Sequence, residues 1–416
     1  MTETQQQQVS KHEVKQVLDT TCCIVGGGPA GAMLALLLAR KGVPVLLLEA
    51  HMDFDREFRG DTLHPLAMKL MDELGLADRL LQIRHTEVRR ASLQTAQGVV
   101  PFIDISHLKT KYPYITVMAQ SQFLDFLTNE AKNYPSFQLV MGAQVDELIE
   151  ENQQICGVRY HGQDGWYEVR ATLTIGADGR FSRIRRLAGF EPIKTSPPMD
   201  ILWFRLSRKE SDPIDNLSGR FGTKLIIAII NRFDYWQIGY VIPKGNYQQI
   251  RNAGMEHLRE SIAKTVPEFA DRVDELQEWK QISVLSVESS RVPRWYRPGL
   301  LLIGDAAHVM SPVGGVGINY AIQDAVATAN LLTDTLRNGK VQTKDLASVQ
   351  RQRELPTRII QYVQKLIQER ALSAVLRADK PFVVPAWFQL LFRIPVIRDI
   401  PARIMAIGPF PVHLKK

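Results

Sequence analysis

Three glycines, Gly26, Gly28 and Gly31, constrain this chain most, because they stand between a short apolar run and a helical one. Thr21-Cys-Cys-Ile-Val25 reads as a buried strand. Ala32 to Arg40 reads as a helix of strong formers ended by Gly42, and Val43 to Leu48 as a second strand running into Glu49. A strand, a helix and a strand in that order imply a parallel pair with a right-handed crossover. Gly26 permits the tight turn, Gly28 lets backbone approach a pyrophosphate, and Gly31 allows close helix–strand packing. Pro29 and Ala30 belong to the turn, and the free N–H groups at the start of the helix that follows face the phosphates. Glu49, 18 residues after Gly31, is placed to accept hydrogen bonds from a ribose hydroxyl. Dinucleotide binding is the expectation, with a merely tight structural turn as the alternative. The motif alone does not separate a nicotinamide from a flavin dinucleotide.

With 416 residues the chain is long enough for two or three domains and needs no disulfide or metal staple. Cys22, Cys23 and Cys156 cannot form a disulfide framework, which points to a reducing, cytoplasmic setting. Thr20 to Ala39 carries no charge, but its glycines and proline argue against a membrane span. The net charge of +7 is concentrated at the end, where twelve Lys/Arg face four acids from Ala347 onward. No zinc-finger spacing or basic-aromatic motif accompanies it, so nucleic acid is not an expected partner. No metal cluster is expected either.

A helix is expected over His64 to Leu81 and another over Ser121 to Lys132. Strands are expected at Phe137–Met141, Val145–Glu150, Cys156–Tyr160 and Glu168–Ile175. From Met199 longer alternating strands follow, with a hairpin turning at Arg232-Phe-Asp234. Arg297 to Gly304 is a buried strand running into a glycine turn, Val316 to Leu336 a small-residue-rich helix, and Ala347 to Arg377 an amphipathic helix with apolar residues at 355, 359, 363, 366, 367, 372 and 376.

Two further segments lie at strand ends: Gly176-Ala-Asp178-Gly179 through Arg185, and Gly304-Asp305-Ala-Ala-His308 leading to Pro312-Val-Gly-Gly315-Val-Gly317-Ile318-Asn319. With the glycine motif they make three ordered fingerprints, and over roughly residues 20 to 335 the chain closely resembles the class A flavoprotein monooxygenases, the para-hydroxybenzoate hydroxylase-like family. The resemblance implies an α/β fold. A Rossmann-type FAD-binding domain (19–80, 115–190 and 288–345) would follow a polar arm (1–18). An antiparallel β-rich substrate domain (81–114 and 191–287) would be inserted into it, and a helical C-terminal region (346–416) would complete the chain.

It also implies FAD as cofactor, with NAD(P)H as transient reductant and O2 and a small molecule as substrates. Asp305 would accept hydrogen bonds from the ribityl chain. Gly304, Pro312, Gly315, Gly317, Ile318 and Asn319 would lie against the flavin ring, whose reduced anion the helix dipole favours. Asp178 and Arg185 would either touch the diphosphate region or form a plain ion pair. His308 reads as a packing or hydrogen-bonding residue, with a catalytic acid as the alternative. Arg59 would lie near the phosphates, and Val145 would offer backbone to the adenine. Where many relatives place an arginine at the start of a helix, this chain has Gln120, which donates a hydrogen bond but brings no charge.

The chemistry so implied is the cofactor's: oxygen adds at flavin C4a and the hydroperoxide hydroxylates an aromatic or lipophilic, quinone- or polyketide-like molecule. No catalytic side chain is required, and the Pro312 loop would border the reaction site. Trp203, Phe204, Arg205, Trp236, Gln237 and Tyr240 mark the expected pocket wall, although aromatics at strand spacing also suit a core. The competing readings are an oxygen-independent flavin reductase or dehydrogenase, a halogenase (from Ile242-Pro243) and a non-enzymatic flavoprotein. The tail from Pro381 to Val412 mixes apolar residues with Arg393, Arg398 and Arg403. It reads either as a cap on the substrate domain or as a peripheral contact with an anionic membrane. Oligomeric state is not legible.

Overall fold

The computed structural model describes residues 13–55, 61–95, 98–212, 217–378 and 395–415. Its largest sheet runs in the order Tyr296–Arg297, Leu300–Leu302, Trp166–Gly176, Val14–Val25, Val45–Glu49, Phe137–Met141. The four pairings from Leu300–Leu302 through to Phe137–Met141 are parallel. Gln154–His161 and Gln144–Glu151 extend an antiparallel branch from Trp166–Gly176. The near-continuous apolar runs in these strands suit a parallel sheet covered on both faces. Helix Pro29–Arg40, buried from Ala30 to Ala39, packs against Gly317–Arg337 and Gln120–Ala131.

A second sheet has seven strands: Ser283–Ser286, Met199–Ser207, Tyr235–Pro243, Leu225–Asn231, Leu217–Gly222, Arg90–Thr95 and Gly98–Asp104. Every pairing in it is antiparallel except Leu217–Gly222 with Arg90–Thr95. Its two faces differ. Leu202, Phe204, Leu206, Trp236, Ile238 and Tyr240 pack beneath helix Met255–Thr265. Ile201, Ile226 and Val241 look the other way, onto Val313, Leu372, Val375 and Leu376.

Three local expectations need correction. The first strand begins at Val14, inside the stretch read as a polar arm, because the long Trp166–Gly176 strand offers ladder partners as far as Trp166. The helix expected over His64 to Leu81 is two, Pro65–Glu73 and Ala77–Leu80, broken at Gly75 with φ +72°. The C-terminal helix starts earlier, at Thr343, capped reciprocally by Gln342 and Asp345. It runs to Leu366 before a π-helical turn, Ile367–Leu372. Within Thr343–Leu366 the buried face is not the apolar stripe, although Leu372 and Leu376 beyond it do pack on the second sheet. Leu355 is 54% exposed, whereas Gln350, Arg353, Thr357, Gln361, Gln364 and Gln368 are buried.

Those glutamines grip backbone. Gln361 Nε2 donates to Ser290 O and Val309 O, and Gln364 Nε2 to Ser311 O and Val313 O. Buried carbonyls outside a ladder need such partners. The tail helix Pro395–Ala406 packs Ala402 and Ala406 against Val88, Ile105, Ile115 and Val117. Its continuation is tied down where Leu414 N–H donates to Glu73. The expected tail aromatics Phe382, Trp387, Phe388 and Phe392 lie outside the described residues. No helix among the described residues is long and apolar enough to cross a membrane.

Cys22 and Cys23 are fully buried and burial pushes both thiols up, Cys23 to about 12. Cys156 is half-buried. A thiolate-trapping reagent at neutral pH is expected to titrate one thiol in native protein and all three after denaturation. Fast reaction of two or more in the native state would contradict this burial.

Candidate functional site

Four adjacent parallel strands end at one edge of the large sheet, which brings together Gly26, Glu49, Asp178 and Gly304, far apart in sequence. The carboxyl edge of such a sheet is where ligands of this fold class bind. Gly26 has φ +107°, and a Cβ there would sit 2.5 Å from Ala177 O. A Cβ at Gly31 would lie 1.9 Å from Gly26 O, so helix and turn touch backbone to backbone. Gly28 is different: its Cβ would meet no protein atom within 4 Å. Helix Pro29–Arg40 begins there with no side-chain cap, leaving its positive end for an anion.

Glu49 is 8% exposed; one carboxylate oxygen accepts from Gly27 N–H at 2.8 Å, the other from His51 N–H at 3.0 Å and faces His51 Nδ1 at 2.7 Å. Asp178 and Arg185 do not form the plain ion pair considered above. Asp178 accepts from Ser182 Oγ at 2.5 Å, Arg183 N–H at 2.6 Å and Ile184 N–H at 2.9 Å, capping the short helix Arg183–Leu187. Burial pushes its carboxyl up against those donors. Arg185 instead donates to the carbonyls of Ala306 at 3.0 Å and Arg180 at 2.8 Å, lashing the Asp178 turn to the Gly304 turn. Asp305 is half-buried in that second turn.

Beneath Gly304 lies a charged cluster. Asp324 accepts from Gly304 N–H at 3.0 Å and Arg353 Nε at 2.8 Å, and its Oδ2 is 2.6 Å from His308 Nε2. The three side chains are at most 1% exposed. Burial alone would raise Asp324; His308 and Arg353 outweigh it and hold the carboxyl below its ordinary value.

The Pro312–Asn319 segment turns through two left-handed glycines, Gly314 (φ +81°) and Gly315 (φ +61°), before helix Gly317–Arg337, whose N-terminus again has no side-chain cap. Asn319, 5% exposed, holds the loop in place. Its Nδ2 donates to Thr62 O at 2.9 Å and Gly315 O at 3.2 Å, and its Oδ1 accepts from His64 N–H at 2.8 Å. Ile318 is buried beside it. His64 Nδ1 lies 2.8 Å from Met405 O, so the tail helix closes against this loop; burial pulls that imidazole down to about 4. Val145 is buried on Gln144–Glu151. Arg59 lies outside the described residues.

A family model described as an FAD binding domain matches residues 19–361. The 6-methylpretetramide 4-monooxygenase of Streptomyces rimosus is 34% identical over 388 residues, 92% of each chain. The chain belongs to the class A flavoprotein monooxygenases. It is also 26% identical to the 3-demethoxyubiquinol 3-hydroxylase of Escherichia coli K12, over 77% of this chain and 81% of that one. The solved p-nitrophenol 4-monooxygenase PnpA of Pseudomonas putida DLL-E4 shares the fold with a TM-score of 0.77 at 19% identity, covering 95% of this chain and all of that one. This flavoprotein monooxygenase fold is the α/β Rossmann arrangement expected, and the protein is an FAD-dependent oxidoreductase. The open space at Gly28 and the two uncapped helix ends fit the dinucleotide.

Sequence reading missed Asp61. Its carboxylate accepts from Gln120 N–H at 3.0 Å and meets Arg232 at 2.9 Å, joining the loop before Thr62 to a hairpin of the seven-stranded sheet. Burial outweighs Arg232 and raises its pKa to about 6. Between the ordinary carboxylate value, about 4, and about 6, the folded state holds a proton that the unfolded chain has released. This contribution to stability therefore falls as pH rises through that window. Urea midpoints at pH 4.5 and 6.5 should show a smaller drop in Asp61→Asn; an identical drop would refute the assignment.

Proposed function

We propose that this protein hydroxylates an aromatic, polyketide-like small molecule using NAD(P)H and O2. The observation carrying this reading is the end-to-end 34% identity to an enzyme named for 4-monooxygenation of 6-methylpretetramide, joined to the assembled strand-end site. Bound FAD would supply the redox and oxygen chemistry. In this reading Gly26, Gly28, Pro29, Ala30 and Gly31 receive the diphosphate and Glu49 the adenosine ribose. Gln120 and Arg59 serve the phosphate region, Arg59 on the flavin side, and Val145 offers backbone to the adenine. Asp178 and Arg185 brace the turn beside Gly304 and Asp305 at the ribityl chain. Pro312, Gly315, Gly317, Ile318 and Asn319 support the ring, with the N-terminus of Gly317–Arg337 favouring negative charge there. We read the described tail, 395–415, as a cap on this site rather than a membrane anchor.

The test is turnover of FAD-loaded protein with NADPH, 18O2 and 1,8-dihydroxyanthraquinone. Label in a hydroxylated product supports the reading. NADPH oxidation and probe reduction without label would instead favour the reductase alternative.

A further inference from the structure

The six side chains that marked a pocket wall in the sequence are sorted by the sheet into two faces. Phe204, Trp236 and Tyr240 belong to the outer core beneath the helices. Trp203 lies on the opposite face, among Ile201, Ile226, Val241 and Val313. Val313 belongs to the glycine loop that would carry the flavin, so Trp203 stands between the sheet and that loop.

Two features of Trp203 set it apart. Its indole Nε1 is sealed from water and has no hydrogen-bond partner. A buried donor left unpaired calls for an explanation, and a ligand acceptor is one. Its ring also occupies the space where residue 239 has no side chain: a Cβ at Gly239 would be 2.8 Å from Cζ3 and 2.9 Å from Cη2. Gly239 pairs across the sheet with Ala228, and Ala228 with Gly219. The Leu93 side chain fills the space over Gly219, its Cδ2 2.9 Å from where a Cβ would stand, so the indole over Gly239 and the methyl group of Ala228 beside it make up the low part of this face. A second unpaired donor, Arg232 Nη1, lies just past the end of strand Leu225–Asn231, on a side chain 7% exposed. Both orphan groups are donors, so the matching ligand presents oxygen acceptors.

Resting on the proposed aromatic hydroxylation, we propose that Trp203 orients the substrate. Its N–H donates to a carbonyl oxygen on a planar, fused-ring substrate, and its indole, seated over Gly239 beside Ala228, is the flat surface against which the rings lie.

The test uses FAD-loaded protein and two probes that differ in ring carbonyls, 1,8-dihydroxyanthraquinone and 1,8-dihydroxyanthracene, with Kd read from flavin difference spectra. Trp203→Phe keeps a flat ring and removes the donor. It should weaken the anthraquinone about fivefold, the loss of one hydrogen bond, and leave the anthracene within twofold. FAD content and Tm should stay at wild-type values. Gly239→Val, which displaces the indole, should weaken both probes. Wild-type-like binding of both probes by Trp203→Phe, or equal loss of both, overturns the orienting role alone. If wild-type protein binds neither probe, the orienting role falls together with the aromatic-substrate reading.

Discussion

Gly31→Val is expected to yield protein that retains no FAD and is destabilised by about 3 kcal/mol or more, the upper range for overpacking a close contact. The new Cβ would sit 1.9 Å from Gly26 O and 3.2 Å from Ile24 Cγ2. Its main obstacle is backbone, which has no alternative rotamer to adopt. Gly28→Val makes the informative contrast. Its Cβ meets no protein atom, so the apoprotein should melt as wild type does, while FAD affinity falls at least tenfold because the side chain fills the space left for phosphate. The ratio of absorbance at 450 to 280 nm, with Tm of the apoproteins, separates the two. Full FAD content in Gly28→Val would mean that the dinucleotide lies elsewhere.

Asp324→Ala should be the most destabilising change outside the glycines, about 3–5 kcal/mol in urea unfolding. It leaves the Arg353 guanidinium buried with no anion, and removes the acceptor for Gly304 N–H. Arg353 Nη2 already lacks a partner, and what remains around the guanidinium, Gln323 Oε1 at 3.3 Å and the Tyr320 ring, carries no charge. The loss should be largely relieved when Arg353→Met is combined with Asp324→Leu, because an uncharged pair of similar bulk removes the orphan charge. The pH dependence has a defined sign. Asp324 has its pKa depressed in the fold, so its contribution is fully present above the ordinary carboxylate value, about 4, and is lost only as pH falls below that. An Asp324→Ala protein less than 1 kcal/mol weaker than wild type at pH 7 would refute this account.

The Gln364 contacts suggest why the C-terminal helix belongs to the site. Polar residues recur at 350, 353, 357, 361, 364 and 368, a helical spacing visible in the sequence. Reading only the apolar residues for the buried face points the helix the wrong way, because this helix buries against irregular backbone. Strand Ser289–Arg291 and the loop around Ser311 and Val313 present carbonyls. A side-chain amide satisfies them where a leucine cannot.

What the sequence by itself determined was set by local geometry. Glycines that alone tolerate a turn or a close contact, alternation in strands and the order of three fingerprints specify the parallel sheet and its cofactor edge. These signals are local because backbone sterics act within a few residues. Tertiary structure alone decided which side each alternating strand faces. Trp203 and Trp236 look alike in sequence, yet one meets the Val313 loop and the other a helical cover. The same holds for Asp61, Asp324 and Arg353, whose partners come from distant segments. The physical reason is that burying a charge or an indole N–H is tolerated or not according to what the opposite surface supplies, and that surface exists only once the sheets have packed.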